Sequence, residues 1–311
     1  MAVKQEFRFP SADGSTSLYG CTWAPEQQPP KAVVQLVHGI SEHSGRYDDL
    51  AAFLADRGWL VAAEDHLGHG QTPQKPEDLG FTADVDGWIK MTENVKAFRD
   101  WMGRQYPDLP YLMMGHSMGS FLARSYLIRY PSTITACILS GTGQVPQLVL
   151  TGGLTACAIE RARLGNRKYS PLLNLLGFGA YNSQFKPART PYDWISSSEE
   201  EVDRYMADPY CLGKASTVLM TDTLRLVRFN QRKQHLAQMD PTTPILFLSG
   251  QNDPVGDNGE GVTRAYQSFL AAGCSDVTLK LIPGARHEAH HEVNKEEVWE
   301  LIHNWLVSKL P

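Results

Sequence analysis

Tyr111-Leu112-Met113-Met114-Gly115-His116-Ser117-Met118-Gly119 is the stretch that decides how this chain folds. Four apolar residues form a short β run, a G-x-S-x-G pentapeptide follows at once, and Phe121 to Arg129 has helical character until Pro131 stops it. A serine between two glycines at a strand-to-helix turn sits on a tight bend with its hydroxyl exposed. The glycines let neighbouring chain approach where a Cβ would clash. In a loop the same five residues would be a plain glycine-rich turn. The strand before and the helix after supply the setting that nucleophilic chemistry requires, and they make Ser117 the predicted nucleophile.

On either side of this turn the pattern repeats. Short, near-continuous apolar runs occur at Val33–Val37, Trp59–Ala63, Thr135–Leu139, Ile245–Leu248 and Val277–Ile282. Strands apolar on both faces belong in a parallel sheet covered by helices. Tyr47, Leu50, Ala51 and Leu54 follow helical spacing, as do Trp88, Met91, Val95, Phe98 and Met102, and Val298, Leu301, Ile302 and Trp305. Ahead of them, residues 4–9 alternate, Asp13-Gly14 signals a turn, and Leu18 to Trp23 answers as a partner strand. The prediction is an α/β architecture: a mostly parallel eight-stranded sheet with helices on both faces.

One interval breaks the rhythm. About a hundred residues separate the strand ending near Ser140 from the one starting at Ile245, far beyond a normal crossover. They hold the apolar segment Val145–Ile159, then Leu172–Phe178, then Ser196-Ser197-Ser198-Glu199-Glu200-Glu201. The expected organisation is a first core part at 1–143, an inserted helical cap at 144–234, and a second core part at 235–311.

A serine hydroxyl needs a base to become nucleophilic, and the base needs an acid to orient it. Around such a turn the chain order is serine, acid, histidine, each beyond the C-terminal end of a strand. Asp253, in Gly250-Gln251-Asn252-Asp253-Pro254, is the expected acid, with Asp257 as the fallback. His287, in Pro283-Gly284-Ala285-Arg286-His287, is the expected base. The tetrahedral intermediate also needs backbone donors. The N–H of Met118 and the N–H of Ile40, in His38-Gly39-Ile40-Ser41-Glu42-His43, are assigned to that oxyanion hole, while His38 and Gly39 shape the loop.

His38-Gly39-Ile40-Ser41-Glu42-His43-Ser44-Gly45-Arg46-Tyr47, Asp65-His66-Leu67-Gly68-His69-Gly70, Gly115-His116-Ser117-Met118-Gly119 and the Asn252-Asp253 and Arg286-His287 positions together resemble the α/β-hydrolase serine enzymes of the monoacylglycerol lipase and lysophospholipase group. The resemblance covers roughly residues 31–143 and 240–309. It implies the α/β-hydrolase fold, a Ser117–Asp253–His287 triad, an Ile40 and Met118 oxyanion hole, and a membrane-facing cap that admits an acyl chain. Ser41 and Ser120 stand where members of the group often carry glycine. The cap matches weakly apart from Asp208-Pro209, so no chain-length preference is implied. The Asp65–Gly70 segment reads as a structural turn.

His287-Glu288-Ala289-His290-His291 also fits H-E-x-x-H, a zinc-hydrolase pattern. That chemistry places both histidines one turn apart inside a helix. Pro283-Gly284 just upstream, and helical periodicity that begins only near Val293, put His287 in a loop instead. A non-catalytic scaffold that has kept the fold is a third reading, which the three triad residue types disfavour. No GxGxxG and no GxxxxGK[ST] is present. Lys and Arg number 29 against 34 Asp and Glu, for a net charge of −5, with no basic stripe for nucleic acid.

The expected activity is thus cofactor-free and metal-free hydrolysis of carboxylic esters through an acyl-enzyme. Monoacylglycerol or lysophospholipid-type acyl esters are the expected substrates, with short-chain esters and then amides or peptides as alternatives. Candidate acyl contacts are Val145, Leu148, Leu150, Leu175, Leu176 and Phe178, each equally suited to packing within the cap. The segment Val145–Ile159 is also a candidate for transient contact with a membrane surface, although it contains Gly152-Gly153 and lacks a basic polar face. Lys4, Glu6 and Arg8 interrupt any leader-like apolar core, and five scattered cysteines form no CxxC pair. Both features suit a cytoplasmic protein, peripheral to a membrane at most.

Overall fold

The computed structural model describes residues 2–211 and 214–311. Eight strands form one sheet: β1 Ala2–Pro10, β2 Ser17–Pro25, β3 Ala32–Val37, β4 Trp59–Glu64, β5 Tyr111–His116, β6 Ala136–Ser140, β7 Ile245–Gly250 and β8 Val277–Ile282. Their order is β1-β2-β4-β3-β5-β6-β7-β8. The β1–β2 and β2–β4 pairs are antiparallel, and every pair from β4 to β8 is parallel. The β1–β2 connection is six residues rather than a two-residue turn. Gly14 stands at φ +70°, and Asp13 Oδ1 accepts from Ser15 N at 3.0 Å and Ser11 Oγ at 2.8 Å.

The apolar runs have a direct consequence. Every residue of β3 through β7 is buried. The last strand, β8, is an edge and only half-buried, with Lys280 exposed, so its apolar run covers one side of the sheet end. Helices α1 (Asp48–Asp56), α2 (Gly87–Gln105), α3 (Met118–Arg129), α9 (Glu260–Ala271) and α10 (Lys295–Ser308) cover the two faces. One face buries Met91, Val95 and Phe98 of α2 and Phe269 of α9 against Val33, Met113 and Phe247. The other buries Leu50 and Leu54 of α1 and Ile302 of α10 against Val34, Met114 and Leu248. Helix α9 has no counterpart in the sequence reading, because its buried face (Gly261, Val262, Ala265, Phe269) has one large side chain only.

Between β6 and β7 the chain forms α4 (Gln147–Leu164), α5 (Pro171–Phe178), a 3-10 turn at Tyr181–Phe185, α6 (Glu199–Ala207), α7 (Thr217–Asn230) and the short α8 (Lys233–Leu236). Helix α7 lies on α2 and α3, and α4 packs on the outside of α7. Helix α4 buries only Leu150, Cys157 and Glu160, and α5 only Leu173. Leu148, Leu175 and Leu176 are 84%, 63% and 61% exposed.

Candidate active site

The turn at Ser117 joins the end of β5 to the start of α3. Ser117 adopts φ +52°, ψ −122°, a conformation that costs an L-residue on the order of 1–3 kcal/mol and persists only where its surroundings enforce it. Ser117 N donates to Ser140 O at the end of β6, at 2.9 Å. The flanking glycines are sterically required. A Cβ on Gly119 would sit 1.9 Å from Val37 O, and one on Gly115 would sit 2.4 Å from Gly119 O. Ser120, where a second glycine is common in the resembling group, has its Oγ donating to Ser117 O at 2.6 Å and adds a tie within the bend.

The loop after β3 runs alongside. A Cβ on Gly39 would lie 2.9 Å from Ser117 Cβ, so the backbone of this loop passes directly over the nucleophile candidate. Ser41 takes φ +57°, the left-handed region that favours glycine, which explains why glycine is common there. Glu42, which the sequence reading passed over, holds the loop from below. Its Oε1 accepts a short bond from Gly39 N and one from Tyr47 OH at 3.0 Å. Burial, and then the negative charge of Glu288, raise the Glu42 pKa. The Asp65–Gly70 turn braces the same loop. Asp65 Oδ1 accepts from Ser44 N at 2.8 Å, and His66 N donates to His38 Nε2 at 3.0 Å.

Asp253 follows β7 and is fully buried. Its Oδ1 meets His287 Nδ1 at 3.0 Å and accepts from Val255 N at 2.8 Å, while its Oδ2 accepts from Ser249 Oγ at 3.2 Å. Asp257, the fallback acid, is exposed and pairs with Arg264 at 2.6 Å, away from the histidine. His287 is buried. Burial disfavours its cation, but the charge and hydrogen bond of Asp253 outweigh that and raise its pKa above the ordinary value. Its ring lies 4.7 Å from that of His116 and 5.2 Å from that of Trp194. Ser117 and His287 line one cavity. Among the described residues Ser117 Oγ makes no hydrogen bond to the imidazole, a looseness common before substrate binds.

The histidine loop is clamped by the insert. His287 N donates to Trp194 O at 3.3 Å, and Glu288 N donates to Ile195 O at 2.7 Å. Arg286 Nη1 donates to Asp193 O and, at 3.1 Å, to Ser196 O. Ser196 Oγ donates to His291 O at 2.8 Å, and Ser197 Oγ donates to Glu292. The serine run before α6 thus docks on the loop that carries His287. No periodicity could have disclosed this, since the partners lie about 95 positions apart.

The H-E-x-x-H run forms no helix. His287 and Glu288 are in loop, and Ala289–His291 is a single 3-10 turn. Glu288 pairs with Arg46 and accepts from His291 Nδ1 at 2.7 Å. Although burial opposes its ionisation, Arg46 and His291 outweigh that and hold it well below the carboxylate range. The zinc reading is overturned by this geometry. Among the described residues, one group has the spacing for a metal: His43, Asp208 and Cys211. His43 Nδ1 accepts from Gly45 N at 3.2 Å. That bond places the ring proton on Nε2, facing Asp208 Oδ2 at 2.8 Å, so the nitrogen a metal would need is a donor.

The cavity has a volume of about 150 Å³ and a mainly apolar wall that includes Met118, Phe121, Met220, Leu224 and Val227. Of the six candidate acyl contacts, Val145 and Phe178 line it. Leu150 is buried in the protein core instead. Leu148, Leu175 and Leu176 face solvent, because α4 and α5 turn their apolar sides outward.

A mostly parallel sheet flanked by helices, with a serine on a strained strand–helix bend and a histidine–aspartate pair beyond the last two strands, defines an α/β-hydrolase. The chain belongs to the serine aminopeptidase S33 family (Hydrolase_4), which it matches over residues 28–294. It is 29% identical to the monoacylglycerol lipase of Mycolicibacterium smegmatis over 316 residues, covering 99% of both chains. It is 30% identical to human monoglyceride lipase over 299 residues, covering 95% of this chain and 88% of the relative. Among solved structures, a thermostable carboxyl esterase from Bacillus coagulans in complex with glycerol superimposes with a TM-score of 0.90 at 29% identity, covering 99% of both chains.

Proposed function

We propose that this chain is a carboxylic ester hydrolase that cleaves monoacylglycerol-type acyl esters with Ser117, Asp253 and His287 as its triad. The observation that carries the reading is the Asp253–His287 hydrogen bond of 3.0 Å at the wall of an apolar cavity shared with Ser117. His287 takes the proton from Ser117 as the hydroxyl attacks the ester carbonyl. Asp253 holds the imidazole through Nδ1, so Nε2 is the nitrogen that takes the proton, and stabilises the imidazolium. The N–H groups of Ile40 and Met118 receive the oxyanion. His287 then protonates the leaving alcohol, and water repeats the sequence on the acyl-enzyme.

The apolar wall supports an acyl chain over a peptide. Glu42 and Glu288 also border the cavity, but one is committed to the Gly39 loop and the other to Arg46 and His291. Neither is free to take a substrate's terminal ammonium, which favours the relatives named as lipases over the peptidase in the family's description. Residues 144–234 serve in this reading as the cap over the site, and the outward leucines of α4 and α5 make transient membrane contact. No helix among the described residues is long and apolar enough to cross a membrane. We place the enzyme in the cytoplasm, peripheral to membranes.

The decisive experiment compares hydrolysis of p-nitrophenyl esters from acetate to palmitate, of a monoacylglycerol, and of an amino-acid anilide, each with and without Ser117→Ala. Turnover of the monoacylglycerol that vanishes in the variant is the expected result. Preferential cleavage of the anilide would overturn the lipase reading. A fluorophosphonate that failed to label folded wild-type protein would remove Ser117 from the mechanism.

A further inference from the structure

On the far side of Val145 from the acyl cavity lies a second cavity of about 520 Å³. It sits between the start of α4, the end of α7 and the loop that follows Asp253. Arg228, Arg232, Arg264, Asp257, Gln144 and Gln231 line it. Its charges do not balance. Arg264 is engaged by Asp257 at 2.6 Å and Glu260 at 3.5 Å. Among the described residues, Arg228 in the last turn of α7 and Arg232, four positions on and just before α8, have neither an ion-pair nor a side-chain hydrogen-bond partner. Arg225 on α7 pairs with Asp86 at 3.8 Å and also interacts with the charge of Asp222. Three guanidinium groups around the one carboxylate in the wall leave an excess of positive charge, and their forked donors match a phosphate.

Two further features meet at this cleft. Pro146 and Gln147 line it, and no side chain caps the first turn of α4, so the positive end of an 18-residue helix adds to the arginines. Leu148 and Val149 come next and are 84% and 60% exposed. Unpaired cations beside projecting apolar residues match the boundary where lipid phosphates lie over hydrocarbon.

We propose that this cleft binds the phosphate of an anionic lipid headgroup, with Leu148 and Val149 entering the acyl layer beside it. The inference rests on the reading that the cap side meets lipid, and it assigns the residues that choose the lipid. Gln231 links the cleft to the active site. Its Oε1 accepts from Val145 N at 2.9 Å and its Nε2 donates to Val145 O at 2.8 Å, so the residue that walls the acyl cavity is fixed to the floor of the headgroup cleft. Docking there sets the Val145 wall of the acyl cavity beside the lipid that supplies its substrate.

The test measures cosedimentation of the full chain with vesicles of phosphatidylcholine and with vesicles of phosphatidylcholine and phosphatidylglycerol, three to one. Hydrolysis of dissolved p-nitrophenyl butyrate is followed in parallel. Wild-type protein is expected to partition about thirty-fold more strongly to the anionic vesicles, less so at high salt. Arg228→Gln/Arg232→Gln should lose about thirty-fold of that binding with butyrate hydrolysis unchanged, and Arg228→Lys/Arg232→Lys should keep most of it. Equal binding of wild type to both vesicles, or undiminished binding of the Gln variant, overturns the proposal. Millimolar inorganic phosphate is the remaining arm. If it raises the melting temperature of wild type and not of the Gln variant, while vesicles do not discriminate, the ligand is free phosphate and the lipid assignment falls. Vesicle binding is read without turnover, so a wild type that binds but hydrolyses no ester refutes the enzymatic reading alone.

Discussion

The bend at Ser117 and the loop at His287 are held in different ways. The bend is a local product: Gly115 and Gly119 remove the two Cβ atoms that would strike Gly119 O and Val37 O, and Ser117 N and Ser120 Oγ tie it within and to the next strand. The histidine loop has local ties, such as Arg286 N to Glu292 Oε1 at 2.6 Å, but it also relies on a distant segment. Pro283-Gly284 releases the chain from β8, and Asp193 to Ser197, about 90 positions earlier, catches it through Arg286, Glu288, His291 and Glu292. The nucleophile candidate belongs to the core, whereas the base candidate is positioned jointly by core and insert. A segment that covers the site is therefore also part of what aligns it.

The largest effect tests the bend. Ser117→Ala should cut kcat/KM by about four orders of magnitude or more and leave the melting temperature within a few degrees, measured by ester hydrolysis and calorimetry. Asp253→Asn comes next, with a loss of about 10³–10⁴-fold in kcat. It also moves the pH profile. Activity needs neutral His287, and Asp253 raises the pKa of that histidine. Wild-type kcat/KM should therefore fall, on acidification, through a midpoint above the ordinary ~6.5. The Asn variant, lacking the charge, should show that limb at lower pH. A wild-type profile flat down to pH 5 would contradict the role of His287.

Arg286→Ala sharpens the comparison directly. It removes two bonds from the histidine loop to the insert and a guanidinium lying 4.2 Å over the Phe185 ring. A misplaced base predicts a fall in kcat of about 10–100-fold with KM little changed, and fluorophosphonate labelling slowed in proportion. If labelling were as fast as in wild type, the insert would be a cover only. Glu42→Gln keeps an acceptor for Gly39 N and Tyr47 OH but lacks the charge. The expected result is a several-fold loss at alkaline pH, above the raised pKa of Glu42 of about 7, because a bond to a charged group contributes about 1.5–3 kcal/mol against about 1 for a neutral one. Leu148→Asp is the smallest: no change on dissolved short esters, since the side chain faces solvent, and weaker turnover of substrate presented in vesicles.

Much of the fold was legible because its strands are continuous apolar runs with no other use for such a pattern. All eight strands coincide with segments the sequence marks, and Tyr47–Leu54, Trp88–Met102 and Val298–Trp305 lie in or across the ends of α1, α2 and α10. Helix α9 escaped because small residues carry its buried face, and Glu42, Arg46 and Glu288 escaped because a charged residue gives no periodic signal before its partners are known. Four of the six candidate acyl contacts lie away from the cavity for a related reason: α4 and α5 are apolar on more than one side, and hydrophobicity alone does not say which side meets the core.

Local sterics and periodicity therefore determined, from the sequence alone, the parallel sheet and the serine bend at the end of β5. Only the tertiary structure decided which acid reaches the imidazole, since Asp253 and Asp257 sit in the same loop and differ in which way the turn faces them. It also decided that the H-E-x-x-H run is not a helix, and that residues 193–197 hold the loop that carries His287. Those outcomes depend on contacts between segments distant in the chain, whose free energy arises when burial removes water from polar groups that must then find one another.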